Sequence, residues 1–308
     1  MVKKKIFTII LFISILINQY SSAEVFIVTK LNDMILTNLD IEKEASYLKI
    51  LNPELKKLNK KDVFKISKES LINQTIRKNE LEKFLSFEKE LPIINEIFNK
   101  FFINLGYKNK NEFENMLNVN NTYSNREIKE KMKIEFFWNR LILEKFKDSV
   151  KIDKDKLNKK IKKGKKEKTK YLLSEIFFYK DKNLSLNNQV KRIKKSISQI
   201  GFKNTASMYS QSESAKIGGK IGWVEEESLS EKILKELKKT KIGEHSDVIA
   251  FGNNFLILKI EDKKIEKLKK NKEEILKKMI DFETNKQLNQ FSNIYFNKIK
   301  KEISINEI

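Results

Sequence analysis

The chain has 308 residues, of which 40% are hydrophobic, enough apolar material for packed cores and too much for wholesale disorder. Two prolines, eight glycines and no cysteine exclude a turn-rich β architecture, disulfides, thiolate catalysis, Cys-ligated metals and a lipid anchor at a signal junction. The formal net charge is +22, yet only Arg77, Arg126, Arg140 and Arg192 of the 64 basic residues are arginine, so the side chains that read bases and grip phosphates are nearly missing and no nucleic-acid partner is expected.

Residues 1–23 have the pattern of a signal peptide. Lys3, Lys4 and Lys5 precede an apolar run, Ile6 to Ile17, broken only by Thr8 and Ser14, and Ser21-Ser22-Ala23 supplies small residues for cleavage. The run falls short of the roughly 20 residues that a membrane span needs, so export is expected, with an uncleaved N-terminal anchor as the alternative. Removing the segment takes away Lys3, Lys4 and Lys5 and no acid, leaving +19.

Val25–Lys30 and Met34–Leu36 are expected to form two short strands turning at Asn32-Asp33. Thr37 with Asp40 caps a helix to about Leu51, and a second helix carries Leu71, Ile72, Thr75 and Ile76 on one side. Ile94, Ile97, Phe98, Phe101, Phe102 and Leu105 are spaced for a third, with Gly106 at its C-cap. Ser124 and Glu127 open a long helix with Ile128, Met132, Phe136, Leu143 and Phe146 expected inward. Lys159–Lys170 is expected to be a solvated linker. Beyond it, Tyr171–Tyr179 is β-prone, and Ser185 caps a helix closed by Gly201. A short helix follows at Ala206–Tyr209, and Ser228 with Glu231 caps another. Val248–Phe251 and Phe255–Ile260 make a hairpin across Gly252-Asn253-Asn254, giving the order β-α-α-β-α-β-β. From Ile265 the chain is expected to be helical, with an apolar face (Leu268, Ile275, Met279, Phe282, Leu288, Phe291, Tyr295) that must pack on the N-terminal helices.

Ala206 to Trp223 (ASMYSQSESAKIGGKIGW) resembles the parvulin (PpiC-type) signature. Matching spacing extends to Leu172-Leu-Ser-Glu-Ile-Phe177, Leu229, Ile233, Lys241-Ile-Gly-Glu244 and Gly252-Asn-Asn-Phe-Leu-Ile-Leu-Lys259. Gly218, Gly219 and Gly222 suit a strand that other backbone approaches closely. Leu31 to Ile41 is similar to the opening of the SurA-like periplasmic chaperones. The resemblance implies an α+β protein: a signal peptide (1–23), a helical chaperone domain (24–160) completed by a C-terminal helix (264–308), and one parvulin-like domain (168–263). Members similar to SurA usually carry two parvulin domains, and this chain has room for one.

Rotation about a prolyl peptide bond faces a barrier of roughly 20 kcal/mol, which the family is thought to lower without covalent chemistry by gripping proline in an apolar pocket. Its centre usually holds two histidines and a Cys or Asp; the matching positions here are Glu175, Leu256 and Ser212. The one histidine, His245, matches no catalytic position and is expected to be an ordinary surface residue. Trp223, Leu229, Ile233, Phe255 and Leu256 are the expected peptide-binding residues, and parts of Phe98–Phe102 and Phe136–Trp138 are candidates for a client groove. The resemblance therefore implies a chaperone for unfolded outer-membrane proteins or extended peptides, with weak or lost isomerase activity and neither cofactor nor metal. Alternatives are an active prolyl isomerase and an envelope scaffold using the fold as an interaction module. Glu225, Glu226 and Glu227 are expected to be acids favoured near a helix N-terminus rather than a carboxylate pair.

Overall fold

The structure is a computed structural model that describes residues 24–85, 87, 91–162, 167–181, 183–251, 254–267 and 272–308. The proposed signal peptide, Lys163–Lys166 of the charged run, Gly252-Asn253 and Leu268 lie outside the described residues.

Strands β1 (Ile27–Leu31) and β2 (Met34–Thr37) pair antiparallel, turning through Asn32 at φ 50°, a left-handed conformation that Asn tolerates. The Thr37 hydroxyl then caps α1 (Asn38–Leu51), and the Asp40 carboxylate accepts the Thr37 N–H at 2.8 Å, closing a reciprocal box. Next come α2 (Lys60–Glu82), α3 (Pro92–Asn104), α4 (Lys110–Val119), α5 (Asn125–Phe146) and α6 (Lys154–Lys162). Helix α4 is an addition to the elements expected; Asn109 caps it, and Phe113 and Leu117 fix it into a core with Tyr47, Phe98, Phe102, Tyr123 and Ile128.

The second unit follows the expected order with the first two expected helices joined into one: β3 (Glu167–Phe178), α7 (Leu186–Tyr209), β4 (Lys220–Glu225), α8 (Glu231–Lys239), β5 (Ile249–Phe251) and β6 (Asn254–Lys267). Its four strands lie antiparallel in the order β4-β3-β6-β5. Helix α7 breaks at Gly201, whose φ of 81° interrupts the helical path where a C-cap was expected. Finally α9 (Lys272–Lys301) leads into β7 (Ile305–Glu307), which pairs with β1.

Four expectations are corrected. The charged run is not a plain linker: α6 covers its start and β3 its end, and Leu157 of α6 is buried with Ile275 and Met279 of α9. The cap of α8 is Ser230, whose hydroxyl accepts the Ile233 N–H; Ser228 sits in the preceding 3-10 turn. Ile265 belongs to β6, because β3 is long enough to hold its partner in register as far as Lys267. In α5 the buried stripe is Ile134, Trp138 and Ile142 at i, i+4, i+8, while Leu143 is 42% exposed.

That stripe meets Val28, Leu31, Leu36, Ile41, Leu71, Ile72, Ile76, Phe296 and Ile299, so the first core combines the opening hairpin, α1, α2, α5 and α9. Among the described residues no helix is long and apolar enough to cross a membrane.

Candidate functional site

Strand alternation divides the second unit into two faces. Ile176, Phe178, Phe255 and Ile257 point toward α7, whereas Leu173, Glu175, Phe177, Leu256 and Leu258 point the other way. On that second side lies a cavity of about 360 Å³, lined below by Leu173, Phe177, Val224, Leu229, Ile233 and Leu256 and above by α9 residues, among them Phe282, Asn285, Lys286 and Asn289. Glu175, Ser212, Leu229, Ile233 and Leu256, five of the positions singled out in the sequence, come together there.

Trp223 and Phe255 do not. Each is one residue away from a cavity-facing neighbour, Val224 and Leu256, so a period of two turns it to the opposite face. Trp223 is 41% exposed beneath the Lys264 ammonium, 4.5 Å from its ring centroid, and Phe255 stacks on Phe178 at 5.7 Å. His245 stands apart, half-buried, its Nδ1 3.0 Å from the Ser246 carbonyl oxygen and its ring 6.5 Å from that of Phe202. Glu225 and Glu226 precede α8, and Glu226 pairs with Lys238 at 3.8 Å.

The polar wall of the cavity is a chain of hydroxyls. Ser210 Oγ accepts the Phe177 N–H at 3.0 Å and lies 2.9 Å from Ser212 Oγ; Ser212 Oγ lies 2.7 Å from Ser214 Oγ; Ser214 donates to Glu175 Oε1 at 3.0 Å. With the Ser214 hydroxyl hydrogen given to Glu175, Ser212 is left to donate to Ser214 and Ser210 to Ser212. Burial raises the Glu175 carboxyl above its usual range, and the hydroxyls of Ser214 and Ser212 only partly counter it. Sequence reasoning marked Glu175 and Ser212 but missed Ser210 and Ser214; the repeat Ser-Gln-Ser-Glu-Ser was the available signal, and the 3-10 turn at Glu213–Ile217 brings its last serine onto Glu175.

Gly219 holds this wall against β3. Its φ is 81°, its carbonyl accepts the Glu175 N–H at 2.7 Å, and an added Cβ would overlap the Glu175 carbonyl oxygen and lie 2.9 Å from Ala206 Cβ. Gly219→Ala is expected to destabilise this unit by roughly 2–5 kcal/mol, combining left-handed strain with overpacking, as measured by chemical denaturation.

The same loop ties the unit to the helices before it. Arg77 of α2, only 8% exposed, pairs with Glu135 of α5 at 3.0 Å and with Glu213, while Lys216 reaches Glu135 at 2.8 Å. Asn52 donates to Ser207 Oγ at 3.1 Å, and Asn204 to the Glu54 carbonyl oxygen at 3.1 Å.

Between the two units opens a larger cavity of about 1130 Å³. Ile97, Phe101, Met132, Phe136, Leu143 and Leu288 line it beside charged residues, among them Glu44, Glu135, Arg140 and Lys216. Burial opposes the Glu44 charge, but the Lys131 ammonium at 2.7 Å and the hydroxyls of Ser70 and Tyr123 hold the carboxyl below its usual range. Of the expected groove aromatics, Phe101 and Phe136 line this cavity, whereas Phe98, Phe102 and Trp138 are core residues, at most 5% exposed. Asn139, Glu213, Asn285, Asn289 and Ser292 line both cavities, which therefore adjoin along α9.

Residues 172–262 match the family described as rotamase, the PPIC-type PPIase domain. Over these residues the chain is similar to that domain. No curated protein matches the chain. Solved structures similar to it include one from work on PEB4 and Cj1289, two SurA-like chaperones of Campylobacter jejuni, at 16% identity over 92% of this chain and 98% of that one, with a TM-score of 0.37. Another is the peptidylprolyl isomerase PrsA of Bacillus anthracis, at 20% identity over 77% of this chain and 98% of that one, with a TM-score of 0.30. A PpiC-type isomerase domain matches at 23% identity over 33% of this chain and 96% of that one, with a TM-score of 0.29. The matched residues line the floor of the smaller cavity, and α9 roofs it.

Proposed function

We propose that the protein is a foldase-type chaperone that binds extended, unfolded polypeptide across its two adjoining cavities, with prolyl isomerase activity weak or lost. The observation that carries this is the continuity of the 1130 Å³ cavity with the smaller one along the amide side chains of Asn139, Asn285 and Asn289. Apolar patches hold side chains of an unfolded segment, while amides pair with its unsatisfied backbone groups, and neither interaction requires ATP.

The pocket itself supports the reading of weak isomerisation. It has the apolar floor to hold proline, but Leu256 offers no hydrogen bond and Glu175 stands where an imidazole is usual in the family. The reading includes export by the N-terminal Lys3–Ala23 segment and work in the periplasm on outer-membrane proteins, whose alternating apolar strands suit such a lining.

The test is suppression of aggregation of an unfolded porin, measured beside protease-coupled isomerisation of a Xaa-Pro peptide. The expected result is suppression at near-stoichiometric protein with isomerisation close to the uncatalysed rate. Rapid isomerisation without suppression would instead make the protein an active isomerase. Retention of one folded envelope partner and no unfolded client would make it a scaffold.

A further inference from the structure

Charge bookkeeping around the smaller cavity leaves one group unanswered. Three ionisable side chains face it: Glu175 from β3, Glu213 from the signature loop and Lys286 from α9. The lining contributed by α5, β4, α8, β5 and β6 carries no charge (Asn139, Ile221, Val224, Ile233, Phe251, Leu256 and Leu258). Glu213 is matched by Arg77 and Lys216. Lys286 is matched by Glu283 at 2.9 Å and lies over the Phe251 ring at 5.5 Å. Glu175 has no cation paired with it among the described residues, and only neutral serine hydroxyls answer its charge.

The hydroxyl chain can supply donors to a carboxylate, with Ser214 donating to Glu175 Oε1 at 3.0 Å. A desolvated carboxylate on the wall of an apolar pocket is stabilised most by a donor that also brings positive charge, because charge-assisted hydrogen bonds are roughly twice as strong as neutral ones. The apolar floor directly beneath it, Leu173, Phe177 and Leu256, suits the hydrocarbon part of a peptide or the stem of a long basic side chain.

We propose that Glu175 is a cation-recognising subsite: the pocket takes an extended polypeptide segment in which an apolar residue fills the floor and a neighbouring lysine or arginine sets its charged group on the Glu175 carboxylate. This rests on the reading that the pocket holds polypeptide, and it adds a preference that the apolar lining alone would not give. The serines Ser210, Ser212 and Ser214 act through Glu175, fixing its orientation and keeping it an acceptor.

Fluorescence-anisotropy titrations on the full chain test it, using N-acetylated, C-amidated peptides built around one proline in an apolar stretch. The positions flanking the proline are scanned with lysine, arginine or glutamine. At one position the basic peptides should bind about tenfold tighter than the glutamine peptide, the expectation for a charge-assisted bond in a partly desolvated site. Glu175→Gln should close that gap, with its basic and glutamine peptides binding alike. This variant also removes a desolvated charge, so it is expected to fold at least as stably as the parent. Acidification should erase the parent's preference, since protonated Glu175 no longer attracts a cation. Equal affinity of the parent for all three residue types at every position, or a preference that survives in Glu175→Gln, overturns the subsite and leaves peptide binding standing. Failure of every peptide to bind overturns the peptide-binding reading and the subsite together.

Discussion

Trp138→Ala is expected to lower the unfolding free energy by about 3–5 kcal/mol, the range for removing a large aromatic from a packed core. Trp138 is 1% exposed on α5, and three of its contacts belong to α9: its indole N–H donates to Ser292 Oγ at 2.8 Å, it stacks on Tyr295 at 5.8 Å, and it meets Phe296 edge-on at 6.1 Å. The loss therefore falls on the seam that binds the last helix to the first ones. Urea denaturation followed by far-UV circular dichroism checks the magnitude. Trp138→Phe, which keeps an aromatic ring but not the hydrogen bond, should lose clearly less.

Arg77→Ala is the second large effect, at about 3 kcal/mol, because it strips the shared cation from Glu135 and Glu213 and its stacking from Trp138 and Phe296. The figure belongs at the low end for a buried pair, since the Glu213 side chain keeps 49% of its surface accessible, where the two cavities meet. The pH dependence has a definite sign. Burial works against the Glu213 charge, but Arg77 and then Lys216 outweigh it and hold the carboxyl far below its usual range. A depressed carboxyl contributes stability that is present above the unfolded value and is lost as the pH falls toward the folded one. The parent should thus lose stability steadily as the pH drops below the ordinary carboxylate range. In Arg77→Ala that acid-side slope should flatten, which denaturation midpoints across the acid range would show.

Much of the architecture was legible in the sequence because the local signals agreed with one another. The Thr37/Asp40 and Ser124/Glu127 boxes both close as expected, and Gly106 and Gly201 adopt positive φ at the ends assigned to them. The signature glycines were likewise readable, with Gly219 explained by its approach to the Glu175 backbone. What failed was the assignment of faces. Helix α5 carries two apolar stripes, Ile134-Trp138-Ile142 toward the core and Met132-Phe136-Leu143 toward the large cavity. Periodicity alone cannot say which stripe is buried. The surplus stripe lines the large cavity, the surface proposed to hold an unfolded segment.

The remaining misses have similar causes. Strand β7 is three residues long and acquires its identity only by pairing with β1, a contact that no local pattern announces. Helix α4 shows just two buried apolar residues, Phe113 and Leu117, although the Asn109 cap with Glu112 was a readable start. The cap of α8 was assigned to Ser228, and the 3-10 turn at Glu226–Ser228 moves the helix start on to Ser230. At the pocket, Trp223 and Phe255 were drawn in by adjacency in the motif, and alternation along a strand excludes both. The hydroxyl chain reaches Glu175 from Ser214, 39 positions away, and needed the fold to assemble it.

The most direct test of the central claim is site-specific photo-crosslinking from the large cavity. A crosslinking residue at Phe136 or Leu143, on the stripe facing that cavity, is irradiated with a urea-unfolded porin freshly diluted into buffer; a second probe at Lys239, at the exposed end of α8, serves as the reference. The account predicts abundant adducts at Phe136 and Leu143, few at Lys239, and none with the porin already folded. Adducts spread evenly over all three sites, or absent from the two cavity positions, would contradict it.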